Sequence, residues 1–136
     1  MKNLILFITI TFAINIYSQK IKLKDDKLQL DGKDIFSYKK VTSESELYLY
    51  DLETNKEVVY IKLDRNGTFE YDGDNYVKIF FAEPKIKVES KSLHFGGRGI
   101  PIVEKLISEG VIEHNGNINF EKAETFHEKY NDNITK

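Results

Sequence analysis

Apolar and polar residues alternate with a period of two through most of residues 20–90, which is the pattern of strands buried on one face. Asx-rich dipeptides such as Asp25-Asp26, Asp31-Gly32 and Asn66-Gly67 interrupt the alternation and are typical of tight hairpin turns. The pattern predicts strands at 20–24, 28–30, 35–41, 46–52, 57–63, 68–71, 75–81 and 85–89. The connections are short, and they therefore predict an antiparallel meander. The lysine-rich strand at 85–89 suits a sheet edge, because charged side chains discourage pairing with other chains.

The hairpin formed by 46–52 and 57–63 carries apolar side chains on both faces. One face has Leu47, Leu49, Val59, Ile61 and Leu63, and the other has Tyr48, Tyr50, Val58 and Tyr60. A strand with one face in water should instead alternate apolar with polar residues. We therefore expect the tyrosine-bearing face to be covered, and the helices at the C-terminus are the available cover.

The spacing of apolar residues becomes helical after the segment Gly96-Gly97-Arg98-Gly99. Ile102, Val103, Leu106 and Ile107 form one stripe; Pro101 suits the first turn of a helix and Gly110 its end. Asn119 is the expected N-cap of a second helix, whose apolar face would contain Phe120, Ala123, Phe126 and Tyr130. The sequence thus predicts an α+β fold: an antiparallel meander of about six to eight strands packed with two short C-terminal helices. A small β-barrel or sandwich capped by the helices is the alternative.

Residues 1–18 have the order of an export signal. Lys2 precedes an apolar run from Leu4 to Ile16, and the small residue Ser18 precedes the charged stretch that begins at Lys20. The run is shorter than the roughly 20 residues that span a membrane. We predict a cleaved signal peptide at 1–18, no transmembrane anchor after cleavage, and a periplasmic or extracellular protein. The remainder, 19–136, is expected to form one α+β domain, strand-rich over 20–90 and helical over 97–130. The Tyr17-Ser18-Gln19 ending resembles the signal peptides of some Gram-negative bacterial groups.

Composition narrows the possible chemistry. The chain has no cysteine, which excludes disulfides, thiol catalysis and a lipid anchor on cysteine. A net charge of −2 argues against nucleic-acid binding, which requires a basic face. We predict no nucleic-acid partner and no cofactor.

Motifs of catalysis and metal binding are weak. His94, His114 and His127 are widely spaced, without the close pair typical of zinc sites. The turn at 64–67 departs from a calcium-binding loop, because its glycine is the fourth residue rather than the sixth. No Gly-x-Ser-x-Gly motif is present. We predict no metal site and no catalytic residues, with a small hydrolase or lyase as the alternative, in which two of the histidines would meet an acid in a cleft.

Two groups of residues are candidates for binding. Tyrosine combines a flat apolar ring with a polar tip and suits contacts with partners, so Tyr48, Tyr50 and Tyr60 form the first group. Gly97, Arg98 and Gly99 form the second, because backbone N–H groups at the start of a helix attract anions and Arg98 could clamp one. These residues predict a non-catalytic exported protein that binds a protein or a cell-envelope component. An inhibitor or immunity-type protein is a further alternative, with 72–75 or 96–99 as its protruding loop.

Overall fold

A computed structural model describes residues 20–67, 72–96 and 99–135 of the 136-residue chain. The predicted signal peptide, the predicted strand at 68–71 and the candidate residues Gly97 and Arg98 lie outside these ranges. The described strands are β1 (Ile21–Lys24), β2 (Lys27–Leu30), β3 (Lys33–Val41), β4 (Glu46–Tyr50), β5 (Glu57–Asp64), β6 (Tyr76–Phe81) and β7 (Ile86–Ser90). Two helices follow them, α1 (Ile100–Ser108) and α2 (Phe120–Tyr130).

The strands form one open antiparallel sheet in the order β1-β2-β3-β4-β5-β6-β7. This architecture confirms the α+β meander with two late helices, and it excludes the barrel alternative because β1 and β7 are separate edges. The tight turns follow from local chemistry. Asp25 and Asp26 both have positive φ (51° and 61°), as do Asp31 and Gly32 (52° and 83°). Each pair joins its strands through two residues, and such turns match the twist of a hairpin.

The core lies between one face of the sheet and the two helices. Leu47, Leu49, Val59 and Ile61 are each 0% exposed. They belong to a single cluster with side chains of both helices, namely Ile102, Val103, Leu106, Ile107, Ala123 and Phe126. Burial of each such side chain contributes roughly 1.5–3 kcal/mol. This cluster explains why the aliphatic face of the β4–β5 hairpin requires no polar residues.

The expectation that the helices cover the tyrosine-bearing face was wrong. The helices pack on the aliphatic face, while Tyr48, Tyr50 and Tyr60 lie half-exposed on the opposite face and outside the core cluster. The physical reason is that branched aliphatic side chains interdigitate with a helix without leaving a polar atom to satisfy. A tyrosine hydroxyl buried beneath a helix would need a partner there. We call this opposite side of the sheet the outer face.

Local sequence accounts for both helices. Pro101 lies in the first turn of α1, and Gly110, with φ of 77°, follows its C-cap residue Glu109. In α2 the side-chain Oδ1 of Asn119 accepts a hydrogen bond of 3.0 Å from the backbone N–H of Lys122. Neither helix is long and apolar enough to cross a membrane.

The two edges of the sheet differ. The C-terminal segment 131–135 runs along β7, where the backbone N–H of Asp132 donates to the carbonyl of Glu89 at 2.7 Å. The side chain of Asn131 accepts from the N–H of Glu89, and that of Asp132 accepts from the N–H of Lys91. β7 is an edge strand, as its lysines predict, and the segment satisfies backbone groups that an edge otherwise leaves open to pairing.

Candidate functional site

An aromatic row crosses the outer face from strand to strand. Backbone pairing places Tyr48 of β4 opposite Tyr60 of β5, and Tyr60 opposite Phe80 of β6. Lys39 pairs with Tyr48 at one end of the row, and Lys87 pairs with Phe80 at the other. Directly opposed residues of antiparallel strands share a face, so these five side chains form one line. We call Tyr48, Tyr60 and Phe80 the aromatic row.

The tyrosine rings of the row pack closely. The centroids of Tyr48 and Tyr60 are 4.8 Å apart, and the rings are tilted by 35°. Tyr50 stacks against Tyr48 with a centroid separation of 6.5 Å and an interplanar angle of 13°. Phe80 is 37% exposed, although β6 is paired on both sides, with β5 and β7. The row therefore offers ring surface to solvent from side chains whose positions are already fixed by their neighbours.

Glu46 anchors the tyrosines of this row. Its carboxylate is 8% exposed and accepts a hydrogen bond of 2.8 Å from the hydroxyl of Tyr48 and another of 2.8 Å from that of Tyr60. The Nζ of Lys62 lies 3.5 Å from the same carboxylate. Burial alone would raise the pKa of Glu46, but the two hydroxyls and the lysine outweigh it, and the pKa lies below its ordinary value.

The tyrosine pKa values move in the opposite direction. Burial and the hydrogen bond to Glu46 raise the pKa of Tyr60 far above its ordinary value. For Tyr48 the hydrogen bond to Glu46 is the largest cause of a raised pKa, followed by burial. Both phenols consequently stay protonated and keep donating to Glu46. Because these hydroxyls are engaged within the sheet, the row presents ring surface rather than free hydroxyl groups.

A second line of polar side chains runs beside the aromatic row. Glu46 pairs with Lys62, Lys62 with Lys78, and Lys78 with Glu89. Lys78 forms an ion pair of 3.5 Å with Asp64, whose carboxylate also accepts from the hydroxyl of Tyr76 at 3.1 Å. Burial and this hydrogen bond raise the pKa of Tyr76 to about 12. The outer face thus contains two groups of an acid, a tyrosine and a lysine, one around Glu46 and one around Asp64. In each group the lysine balances the charge of the carboxylate.

Glu89 ends this line at the β7 edge and is 1% exposed. Thr135 covers it: the Thr135 Oγ1 donates to both carboxylate oxygens at 2.7 and 2.8 Å, and its backbone N–H donates at 3.0 Å. Lys87 lies 3.7 Å from the carboxylate. Burial would raise the pKa of Glu89, but the hydrogen bonds from Thr135 and the lysine charge hold it below the usual value. The carboxylate is satisfied within the fold.

The glycine-rich segment before α1 has one described candidate residue, Gly99. It is buried at the N-cap of α1 with φ of 87°, and a Cβ placed there would lie 3.4 Å from the Cδ2 of Leu47. Gly99 therefore lets the chain approach the core closely. Gly97 and Arg98 lie outside the described residues, so the anion clamp stays a prediction.

The structure distributes the three histidines over different parts of the fold. His94 is in the connection between β7 and α1, and His114 is in the loop between the helices. His127 is on α2 and lines a groove beside β7, whereas His94 lines a groove near the β5–β6 end of the sheet. Within 20–67, 72–96 and 99–135, no group of three or more histidine, aspartate or glutamate side chains could hold a metal ion.

Sequence reasoning selected Tyr48, Tyr50 and Tyr60 but missed Phe80 and Glu46. Phe80 could have been identified from the sequence, because in a meander the strand after β5 must place one of its own residues beside Tyr60. Glu46 could not, since its sequence context, Ser45-Glu46-Leu47, does not differ from that of a solvated acid at the start of a strand. Only strand register reveals that Glu46 lies within reach of both hydroxyls.

Comparison of the chain with models of protein families, with curated protein sequences and with solved structures finds no significant match.

Proposed function

We propose that this chain is an exported, non-catalytic protein that binds a protein or cell-envelope partner through the outer face of its sheet. The observation that carries the proposal is the aromatic row, which lies on the face opposite the helices. Aromatic side chains are enriched at protein interfaces, where they supply large contact areas at low conformational cost. Export is supported by the pattern of residues 1–18.

Preorganisation is the main physical argument. A side chain that is mobile before binding must be ordered on binding, at roughly 0.5–1.5 kcal/mol each. The hydrogen bonds to Glu46 and the ring contacts already restrict Tyr48 and Tyr60. Binding of a partner would therefore require little further ordering of these two side chains. Lys39 is exposed at one end of the row and would favour a partner with acidic groups beside an apolar centre.

Affinity capture with the mature protein, 19–136, from cell envelope and growth medium tests the proposal. The informative variant is Tyr50→Ser combined with Phe80→Ser, since both side chains lie on the outer face and neither contributes to the hydrogen bonds of Glu46. We expect the unmodified protein to recover one stoichiometric partner and the double variant to lose at least about tenfold in affinity for it.

Leu52→Ser is the matched control, because Leu52 is another exposed large apolar side chain, lies in the turn between β4 and β5, and is not part of the aromatic row. Capture that survives the double variant but is lost in the control would overturn the proposal for the outer face. Treatment of the envelope fraction with protease before capture distinguishes a protein partner from a non-protein envelope component.

A further inference from the structure

A groove of about 550 Å³ lies at the end of the sheet where the β4–β5 and β6–β7 turns are found. Residues 113–118, between the helices, and the first residue of α2 close its other side. Its apolar lining comes from Val58, Ala82, Ile118 and Phe120. This volume is within the range of ligand-binding clefts, roughly 300–1,000 Å³. The groove is distinct from the aromatic row, because none of the three row residues lines it.

Phe120 is the most exposed large apolar side chain described, at 49%. It was expected on the buried face of α2, yet Ala123 and Phe126 are buried while Phe120 turns toward the groove. Nothing in local geometry requires a phenylalanine at the first position of a helix whose cap is already supplied by Asn119. A half-exposed aromatic ring at the mouth of an apolar groove is the kind of anchor around which interfaces form.

The charges around the groove are unbalanced. Glu57, Glu83 and Glu113 line it together with Asp51, whereas Lys56 is the one basic residue of the lining. On the outer face, by contrast, Glu46, Asp64 and Glu89 each have a lysine within 4 Å. In the described part of the chain, no ion pair joins Glu57, Glu83 or Glu113 to a lysine or arginine. The groove therefore combines an apolar floor with a negative rim and is complementary to a cationic, partly apolar ligand.

We propose that this groove binds a basic peptide segment of a partner protein, with an apolar side chain against Phe120 and flanking arginine or lysine residues at the carboxylates. A peptide fits better than a lone cation, because a cation alone would leave the apolar lining and Phe120 in water. It also fits better than a purely apolar ligand, which would bury the rim carboxylates without a counter-charge. This site goes beyond the outer-face function and does not depend on it.

Fluorescence anisotropy with a labelled Gly-Arg-Leu-Arg-Gly peptide tests the proposal, and a Gly-Glu-Leu-Glu-Gly peptide is the matched probe. We expect the basic peptide to bind more tightly than the acidic one, and its affinity to fall as ionic strength rises. Phe120→Ala should weaken binding about tenfold. Glu83→Gln combined with Glu113→Gln should weaken it and flatten its salt dependence.

Phe80→Ala is the control, since it removes an exposed phenylalanine that lies on the outer face and does not line the groove. Both phenylalanine variants should keep the unfolding midpoint of the unmodified protein, because neither side chain belongs to the core cluster. Equal binding of the two peptides, or equal losses in the Phe80 and Phe120 variants, would overturn the proposal. A dimer that forms at high protein concentration and disappears in Phe120→Ala would also overturn it, in favour of a second copy of the chain. If the Tyr50→Ser, Phe80→Ser variant loses partner capture but still binds the basic peptide, the outer face and the groove are independent sites.

Discussion

Glu46 illustrates how a buried acid can fix the positions of neighbouring side chains. A carboxylate that donates a proton in catalysis usually has a raised pKa, which keeps it protonated near neutral pH. Glu46 has the opposite shift, because two tyrosine hydroxyls and Lys62 stabilise its charge. Its two hydrogen bonds hold Tyr48 and Tyr60 in place.

Glu46→Gln should destabilise the protein by about 1–3 kcal/mol. The amide is nearly the same size, but it replaces a charged acceptor of two hydroxyls with a neutral group that also carries donors. Urea-induced unfolding followed by tyrosine fluorescence measures the difference. Glu44→Gln is the matched control: Glu44 is exposed in the short turn just before β4, and its substitution should change stability by no more than about 0.5 kcal/mol. Equal stability of the two variants would contradict the role assigned to Glu46.

Residue-scale features were only partly predictable. The tyrosines were identifiable because alternation along a strand depends only on neighbours in sequence. Phe80 and Glu46 were not identified, because their importance depends on pairing between β4, β5 and β6. Thr135 was not identified either, because the carboxylate that it satisfies is 46 positions away in the sequence.

At the scale of elements, the loop between the helices is attached to the sheet at one tight point. Gly116 is buried with φ of 87°, and a Cβ added there would lie 2.6 Å from the carbonyl oxygen of Ile35 in β3. Ile112 and Ile118 form an isolated antiparallel bridge on either side of it. This close approach fixes the segment that leads to Phe120 and lines the groove.

Gly116→Ala should therefore cost more free energy of unfolding than Gly110→Ala, by at least about 1 kcal/mol. Both glycines have positive φ, so an alanine at either position is strained by roughly 1–2 kcal/mol. Only at Gly116 does the added methyl also meet backbone, since the nearest contact at Gly110 is the flexible Lys122 side chain at 3.7 Å. Parallel urea titrations of the two variants make the comparison. Equal losses would mean that the loop can shift away from β3.

Elements were the most predictable level of this chain. The predicted helices and the strands in the described regions agree with the observed ones to within a few residues at their ends. Tight turns, caps and apolar spacing all act over fewer than about ten residues, and the sequence displays them directly. The strand at 68–71 lies outside the described residues and stays a prediction.

At the scale of the whole molecule, five described carboxylates have pKa values held below the ordinary range: Glu46, Asp51, Asp64, Glu89 and Glu109. Hydrogen bonds from Thr54 and Glu53 lower the pKa of Asp51. In the other four, burial acts to raise the pKa, but hydrogen bonds and lysine charges outweigh it. A lowered pKa in the folded state means that the unfolded chain takes up protons first as the pH falls. These groups therefore contribute stability that is fully present above about pH 5 and lost below the unfolded values, which are near 4.

We expect the free energy of unfolding to change little between about pH 7 and 5, and to fall steeply below about pH 4. Urea titrations at a series of pH values measure it. The fall should be smaller in Glu46→Gln, because one of the five groups has been removed, and unchanged in Glu44→Gln. A free energy of unfolding that stays constant down to about pH 3 would contradict the network of buried carboxylates.

The sequence by itself determined the strands, the turns between them, the two helices and the fold class, because each depends on alternation, spacing or capping among near neighbours. It also excludes cysteine chemistry, and export remains a prediction from residues 1–18. Only the tertiary structure decided which face of the sheet the helices cover. Both faces of the β4–β5 hairpin carry apolar or aromatic side chains, and the choice depends on which face packs against a helix without leaving buried polar atoms unpaired. The same holds for the aromatic row, the Glu46 and Glu89 networks and the acidic groove, which are assembled from segments far apart in the chain and brought together only by strand register and helix docking.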